Sequence, residues 1–285
     1  MQDTYPFSFY NAKLSQADFD RLSRFIFDQS GIKLPQVKLI MLQSRLQKRL
    51  RDLQMTTFKE YVDYVFSPEG LENELVHMLD VVSTNKTDFY REPVHFEYLS
   101  NIALPEFYEN GKNLNNFLVW SAGCSSGEEP YTIAFTLSEF KEKFSVFNFN
   151  IVATDISSQI LNKAKQAVYR EELVASVPFF IKKKYLLKSK DRNDKTVRIV
   201  KELRDKVSFF RFNFKEPTYN LSYMFDVIFC RNVLIYFTRE IQEQVLTKLC
   251  LKLKPGGYLF IGHSESILGM DLPIQQIKPT IYKRI

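Results

Sequence analysis

The chain has 285 residues, 45% of them apolar and 25% charged, with a formal net charge of +6. That balance is typical of a soluble globular protein long enough for two domains, and no window approaches the apolar length of a membrane span. Met1 to Tyr10 lack a basic-then-apolar secretory pattern, and three scattered cysteines (Cys124, Cys230, Cys250) exclude a disulfide framework, so a reducing, cytoplasmic setting is expected.

Three histidines without metal-ligand spacing give no reason to expect a metal site. The positive charge invites an acidic partner, either nucleic acid or an acidic protein surface.

In chain order, residues 1 to about 85 read as all helix. Ser15-Gln16-Ala17-Asp18 resembles a capping box, Phe19, Leu22 and Ile26 share one face, and Gly31 stops the helix. A second helix follows Pro35 with Leu39, Leu42, Leu46, Leu50 and Leu53 as its apolar stripe. Lys38, Arg45 and Arg49 line up beside that stripe, with Lys48 near them, as a solvated face or a docking surface for an acidic partner. Shorter helices are expected over Phe58 to Phe66 and Leu71 to Val82.

Ser83 to Pro93 is a polar junction, dense in Asn85, Thr87 and Arg91, of the kind that carries function at a domain boundary. Pro93 to Asn110 reads as a helix interrupted near Pro105. Strands and helices then alternate: strand 117–122, helix 129–143, strand 149–154, helix 157–167, strands 207–212 and 225–230, helix Arg239 to Leu253, and strands 257–262 and 279–284. Such alternation predicts a parallel, doubly wound sheet with ligands at the carboxyl ends of its strands. The interval from about 170 to 206 breaks the rhythm. Leu186-Leu187 and Thr196 to Val200 flank a polar turn there, predicting a small antiparallel insertion whose edge could bind an extended peptide.

The stretch from Val119 to Tyr131 combines a buried strand, a turn holding Gly123 and Gly127, and a helix start. That is the context of a nucleotide-binding loop. Glu128 and Glu129 at the helix start would repel a phosphate, so a cationic ligand rich in hydroxyl and amino groups, such as S-adenosylmethionine, suits the loop better. Asp155 ends the next strand, where an acid accepts ribose hydroxyls. Asn213 could face the adenine edge or make a turn. Arg231-Asn232 leave the strand before Tyr236, and no Asn/Asp-Pro-Pro-aromatic motif follows, which weighs against methylation of nucleic-acid amino groups.

Thr84-Asn85-x-Thr87-x-Phe89-Tyr90-Arg91-Glu92, Trp120-Ser121-Ala122 with Gly127 to Tyr131, Ala153-Thr154-Asp155-Ile156, Phe229 to Val233 with Ile235-Tyr236-Phe237, and Gly262-His263-Ser264-Glu265 together resemble the CheR family of bacterial chemotaxis receptor methyltransferases. The resemblance runs from the first helix to the last strand. It implies an all-α N-terminal domain (1–85) and a Rossmann-like S-adenosylmethionine methyltransferase domain (86–285) with an inserted β-subdomain (170–206).

The implied activity is esterification of glutamates on the cytoplasmic helical bundle of chemoreceptors, leaving S-adenosylhomocysteine. By position, Asn85, Thr87, Arg91, Gly123, Glu129, Asp155, Asn213, Phe214, Arg231 and Asn232 would hold the cofactor. Arg91 and Tyr236 would serve the acceptor, and Lys38, Arg45 and Arg49 the receptor. A monomer is expected, without nucleic acid or membrane insertion. Family members that dock a receptor's C-terminal peptide carry glycines in the hairpin, whereas Lys188 to Lys195 contain none. Two other readings remain beside this one: an enzyme methylating nucleic acid or a small molecule, and a catalytically silent adaptor.

Overall fold

A computed structural model describes residues 12–111, 114–191 and 193–285. The leader reading at Met1 to Tyr10 and Arg192 of the hairpin turn lie outside the described residues. The chain divides into two compact units, one made of the segment up to Thr84 with Tyr236–Thr238, the other of Asn85–Ile235 with Arg239–Ile285.

The first unit is helical. Helix α1 (Gln16–Ser30) is capped by Ser15 Oγ, which accepts from Asp18 N, and ends at Gly31 (φ 77°), whose N–H returns to Phe27 O. Helix α2 (Leu39–Asp52) buries Leu42, Leu46 and Leu50, and α3 (Phe58–Val65) opens on a reciprocal Thr57–Glu60 capping box. The single helix expected over Leu71 to Val82 is instead two, α4 (Pro68–Asn73) and α5 (Leu75–Val82). The break falls at Glu74, 1% exposed, whose carboxylate accepts from Arg49 Nε at 2.8 Å, Arg49 Nη2 at 2.7 Å and the Tyr61 hydroxyl at 3.0 Å. Gly70 lets α4 approach α3 closely, since a Cβ there would overlap the Tyr64 carbonyl.

The second unit begins with α6 (Val94–Tyr98), a π-helical turn over Leu99–Ala103 and α7 (Leu104–Glu109). Pro105 explains the widened turn: it cannot donate to the preceding turn, and its ring crowds that turn's carbonyl. Then come β1 (Phe117–Ala122), α8 (Glu128–Lys143), β2 (Phe149–Asp155), α9 (Ser158–Gln166) and β3 (Val168–Arg170). They are followed by α10 (Phe179–Tyr185), β4 (Leu186–Lys188), β5 (Thr196–Ile199), α11 (Lys201–Arg204), β6 (Val207–Arg211) and β7 (Phe225–Cys230). Helix α12 (Arg239–Lys252), β8 (Leu253–Ile261), β9 (Ile274–Lys278) and β10 (Ile281–Arg284) close the chain.

The main sheet has the order β6-β2-β1-β7-β8-β10-β9, and β3-β5-β4 form a separate antiparallel sheet of three strands. From β6 to β8 the pairing is parallel; β10 runs antiparallel to β8 and β9. The sheet is therefore mixed where the alternation predicted a parallel one. Strand β9 was missed because its Ile-Gln-Gln-Ile-Lys sequence is mostly exposed and carries no apolar run.

Every residue of β1 and β7 is buried. Polar groups in this layer are paired: Trp120 Nε1 donates to Thr154 Oγ1 at 2.9 Å, and Leu118 N donates to Asp226 Oδ2 at 2.9 Å. The chain order passes outward from β1 through β2 to β6, then returns to β7 on the other side of β1. A crevice opens at such a reversal, at the carboxyl ends of β1 and β7.

Removing Glu74 leaves the Arg49 guanidinium, its side chain 13% exposed, with Asp52 as its one remaining carboxylate among the described residues, and takes the acceptor from the buried Tyr61 hydroxyl. Glu74→Ala is expected to destabilise the helical unit by about 2–3 kcal/mol, read as a lowered denaturant midpoint. A loss below about 1 kcal/mol would show that Glu74 does not organise the break between α4 and α5.

Candidate functional site

The turn after β1 is tied to β2: Gly123 N and Cys124 N both donate to Thr154 O at 2.8 Å. Gly123 sits at φ 90°, and a Cβ on it would overlap Val233 Cγ2 from the loop after β7. Gly127 (φ 98°) is the N-cap of α8 and packs under Tyr169, whose hydroxyl donates to Ser126 O at 2.8 Å. Both positions thus demand the left-handed backbone and the missing side chain that only glycine supplies cheaply.

Asp155 ends β2 with its carboxylate directed back at this turn. Its oxygens accept from Ser125 N at 2.9 Å and Ser157 N at 3.0 Å. Ser125 Oγ in turn donates to Asn85 O at 3.0 Å, which brings the polar junction to the glycine turn. Thr87 is partly buried in that junction, and Arg91 Nη1 donates to Lys86 O at 3.0 Å.

At the centre lies Arg231, its side chain 2% exposed. Nη1 meets Glu129 Oε2 at 3.1 Å, and Nη2 meets Glu92 Oε2 at 3.0 Å and also donates to the Arg91 carbonyl. The guanidinium lies 5.4 Å from the centre of the Phe96 ring. Glu129 Oε1 accepts from Ser121 Oγ at 2.7 Å. Burial pushes the Glu129 carboxyl up, against the opposing pull of Arg231 and Ser121. Burial would raise Glu92 too, but Arg231 and the His263 N–H together hold it below the ordinary carboxylate range. His95, packed beneath, is fully buried, and burial with the Arg231 charge lowers its pKa to about 3, so the ring is neutral.

Asn232 adopts φ 58°, held by Glu265, whose carboxylate accepts from Asn232 N at 3.0 Å, Leu234 N at 2.7 Å and Gly262 N. Three inward N–H groups thus share one buried acid, whose pKa burial raises.

Asn213 Oδ1 accepts from Lys215 N at 3.0 Å and so shapes the turn after β6. Phe214 is buried beside it, with its carbonyl accepting from the Tyr219 hydroxyl at 3.0 Å. Tyr236 belongs to the first unit, where its carbonyl accepts from Lys33 N at 2.9 Å.

Of the predicted basic line, Lys38 falls just before α2, as its N-cap, and is exposed. Arg45 instead donates to the Val82 and Ser83 carbonyls and Thr84 Oγ1, and Arg49 is paired with Glu74 and Asp52. The sequence reading assigned no role to Glu92, Glu265 or Ser121. All three stand within the motifs of the resemblance, but the pairings of Glu92 with Arg231 and Glu265 with Asn232 span 139 and 33 residues and leave no local signal of their roles.

Glycine turn, acid at the end of β2 and reversal beside β1 define a nucleoside-binding α/β domain of the Rossmann-like methyltransferase class. Acids at the start of α8 suit a cationic ligand and oppose a pyrophosphate, so the residues present fit S-adenosylmethionine.

Residues 85–283 match the CheR methyltransferase SAM-binding domain, and residues 17–83 match the CheR methyltransferase all-alpha domain. The chain belongs to the CheR methyltransferase family, and S-adenosylmethionine is its cofactor. It is 37% identical over 277 residues to a chemotaxis protein methyltransferase of Borreliella burgdorferi, covering 96% of each chain. Chemotaxis protein methyltransferase 2 of Pseudomonas aeruginosa is 34% identical, with 94% of this chain and 93% of that one covered. The Escherichia coli chemotaxis protein methyltransferase is also 34% identical, over 94% of this chain and 91% of its own. Among the described residues no helix is long and apolar enough to cross a membrane.

Gly123→Ala would force a Cβ against Val233 at a left-handed backbone position. Cofactor affinity by calorimetry is expected to fall at least roughly tenfold, because the strain of about 1–3 kcal/mol is relieved by moving the turn. Unchanged affinity would separate this turn from the cofactor.

Proposed function

We propose that the protein methylates glutamate side chains on the cytoplasmic helices of chemoreceptors, forming glutamyl methyl esters. The observation that carries this reading is family membership along both segments of the chain, beside relatives named as chemotaxis protein methyltransferases.

In this reading Glu129 and Asp155 hold the amino-acid and ribose portions of the cofactor. Gly123 gives it backbone clearance, and Asn85, Thr87, Asn213, Phe214, Arg231 and Asn232 complete the pocket. The bound cofactor supplies a methyl group activated by a sulfonium. A glutamate side chain, with a reference pKa of about 4.3, is already an anion at neutral pH, so the acceptor needs no general base. What remains for the protein is placement. Arg91 and the Tyr236 hydroxyl orient the acceptor carboxylate, Arg91 with a fork that matches its two oxygens. Their hold must stay moderate, since tight binding of the anion would stabilise the ground state and slow transfer.

Receptor docking is assigned to the α2 line of Lys38, Arg45 and Arg49. Lys38 presents its charge most openly, while Arg45 and Arg49 already serve partners in their own unit. The hairpin between β4 and β5, without a glycine from Lys188 to Lys195, gives little support to a tether through a receptor's C-terminal peptide.

Incubation with methyl-labelled S-adenosylmethionine and receptor-containing membranes is expected to yield label on the receptor that mild base releases. Asp155→Ala is expected to abolish the label together with cofactor binding. Arg91→Ala is expected to cut turnover roughly a hundredfold while largely keeping cofactor binding. Label on RNA instead of receptor, or none with cofactor binding intact, would overturn the proposal.

A further inference from the structure

We propose that Glu92, His95 and His263 form a binding site for a single transition-metal ion of the zinc type, with His95 Nδ1 as its buried ligand.

The argument begins with a tautomer. Thr280 Oγ1 donates to Pro279 O at 2.6 Å, so its one proton is committed. The same oxygen lies 2.7 Å from His95 Nε2 and must accept there, which places the imidazole proton on Nε2. Nδ1 of the neutral ring is left as a bare lone pair. It is buried and makes no hydrogen bond among the described residues.

Its polar neighbour is another acceptor, Glu92 Oε2, at 3.6 Å. Glu92 Oε2 also accepts from Arg231 Nη2 at 3.0 Å and Nε at 3.3 Å, but no donor among the described residues reaches His95 Nδ1, and a cation between the two atoms would satisfy that lone pair. Two ligands each about 2.1 Å from a tetrahedral zinc ion lie roughly 3.4 Å apart, close to that separation.

His263 supplies the third ligand. Its ring centre is 5.3 Å from that of His95, and its backbone N donates to Glu92 Oε1 at 3.2 Å, holding the two segments together. One ligand atom from each of the three residues lies within 4.8 Å of the others. The exposed His263 ring can close the remaining distance by a rotamer change.

The Nε2–H···Thr280 contact is the outer hydrogen bond that metal-ligating histidines characteristically make. Two imidazoles and one carboxylate favour zinc-type ions over magnesium or calcium, and three protein ligands leave a coordination position open. Arg231 shares Glu92 but keeps Glu129 as a second carboxylate, so an ion on Glu92 does not leave the guanidinium unpaired. His263 and Thr280 also border a cavity of about 400 Å³, together with Lys278 and Glu97.

The test needs no methyl transfer. The purified full chain is titrated with Co²⁺, followed by visible absorption, and with Zn²⁺, followed by calorimetry. One ion per chain with a tetrahedral-type cobalt spectrum is expected. His263→Ala, at an exposed position, is expected to weaken binding roughly tenfold or more while circular dichroism shows the fold unchanged. Glu97→Ala, in the cavity wall but outside the cluster, is expected to leave binding unchanged. No stoichiometric ion, equal affinity in His263→Ala, or a loss confined to Glu97→Ala would each overturn the proposal.

Discussion

A guanidinium with a side chain only 2% exposed must find carboxylates, and Arg231 finds Glu92 on one side and Glu129 on the other. Three segments are joined by that one group: the polar junction, the start of α8 and the end of β7. Losing either acid would leave the buried guanidinium with a single carboxylate and one of the segments untied, so the segments are held as a set. Bonds from Arg231 to the Arg91 carbonyl and from His263 N to Glu92 extend the same network. The loops at the reversal of the sheet are thereby ordered by internal charge pairing.

A second carboxylate does comparable work on backbone. Glu265 gathers N–H groups from Gly262, Asn232 and Leu234, which keeps Asn232 in its left-handed conformation. The next residue, Val233, occupies the space that a side chain on Gly123 would need. The glycine turn and the loop after β7 therefore fit one another. A binding crevice walled by prearranged backbone loses little entropy when its ligand arrives.

The helical unit shows how the same residue type can change purpose with context. Arg45 and Arg49, which a linear reading groups with Lys38 as a basic face, close the ends of α5 and hold the bend at Glu74. Ion pairing with Glu74 and Asp52 offsets the Arg49 charge, while Arg45 is fixed in place by neutral acceptors. A partner that approaches α2 meets Lys38 and Lys48 as exposed charges, with the two engaged arginines beside them.

How much could be read in advance followed the range of the interaction. Alternating apolar strands and amphipathic helices, the cap at Ser15, the glycine turn and Asp155 at a strand end are all set by neighbours a few residues away. The sequence by itself therefore determined most of the order of elements and, through five spaced motifs, the family. Strand β9 escaped because an exposed edge needs no apolar pattern, and the bend at Glu74 because Arg49 lies 25 residues earlier. Glu92 with Arg231, and Glu265 with Asn232, are 139 and 33 residues apart, and His95 with Thr280 is 185 apart. Only the tertiary structure decided those pairings, because a buried charge or lone pair is satisfied by whatever the fold brings within about 3 Å, and one-dimensional spacing carries no record of that.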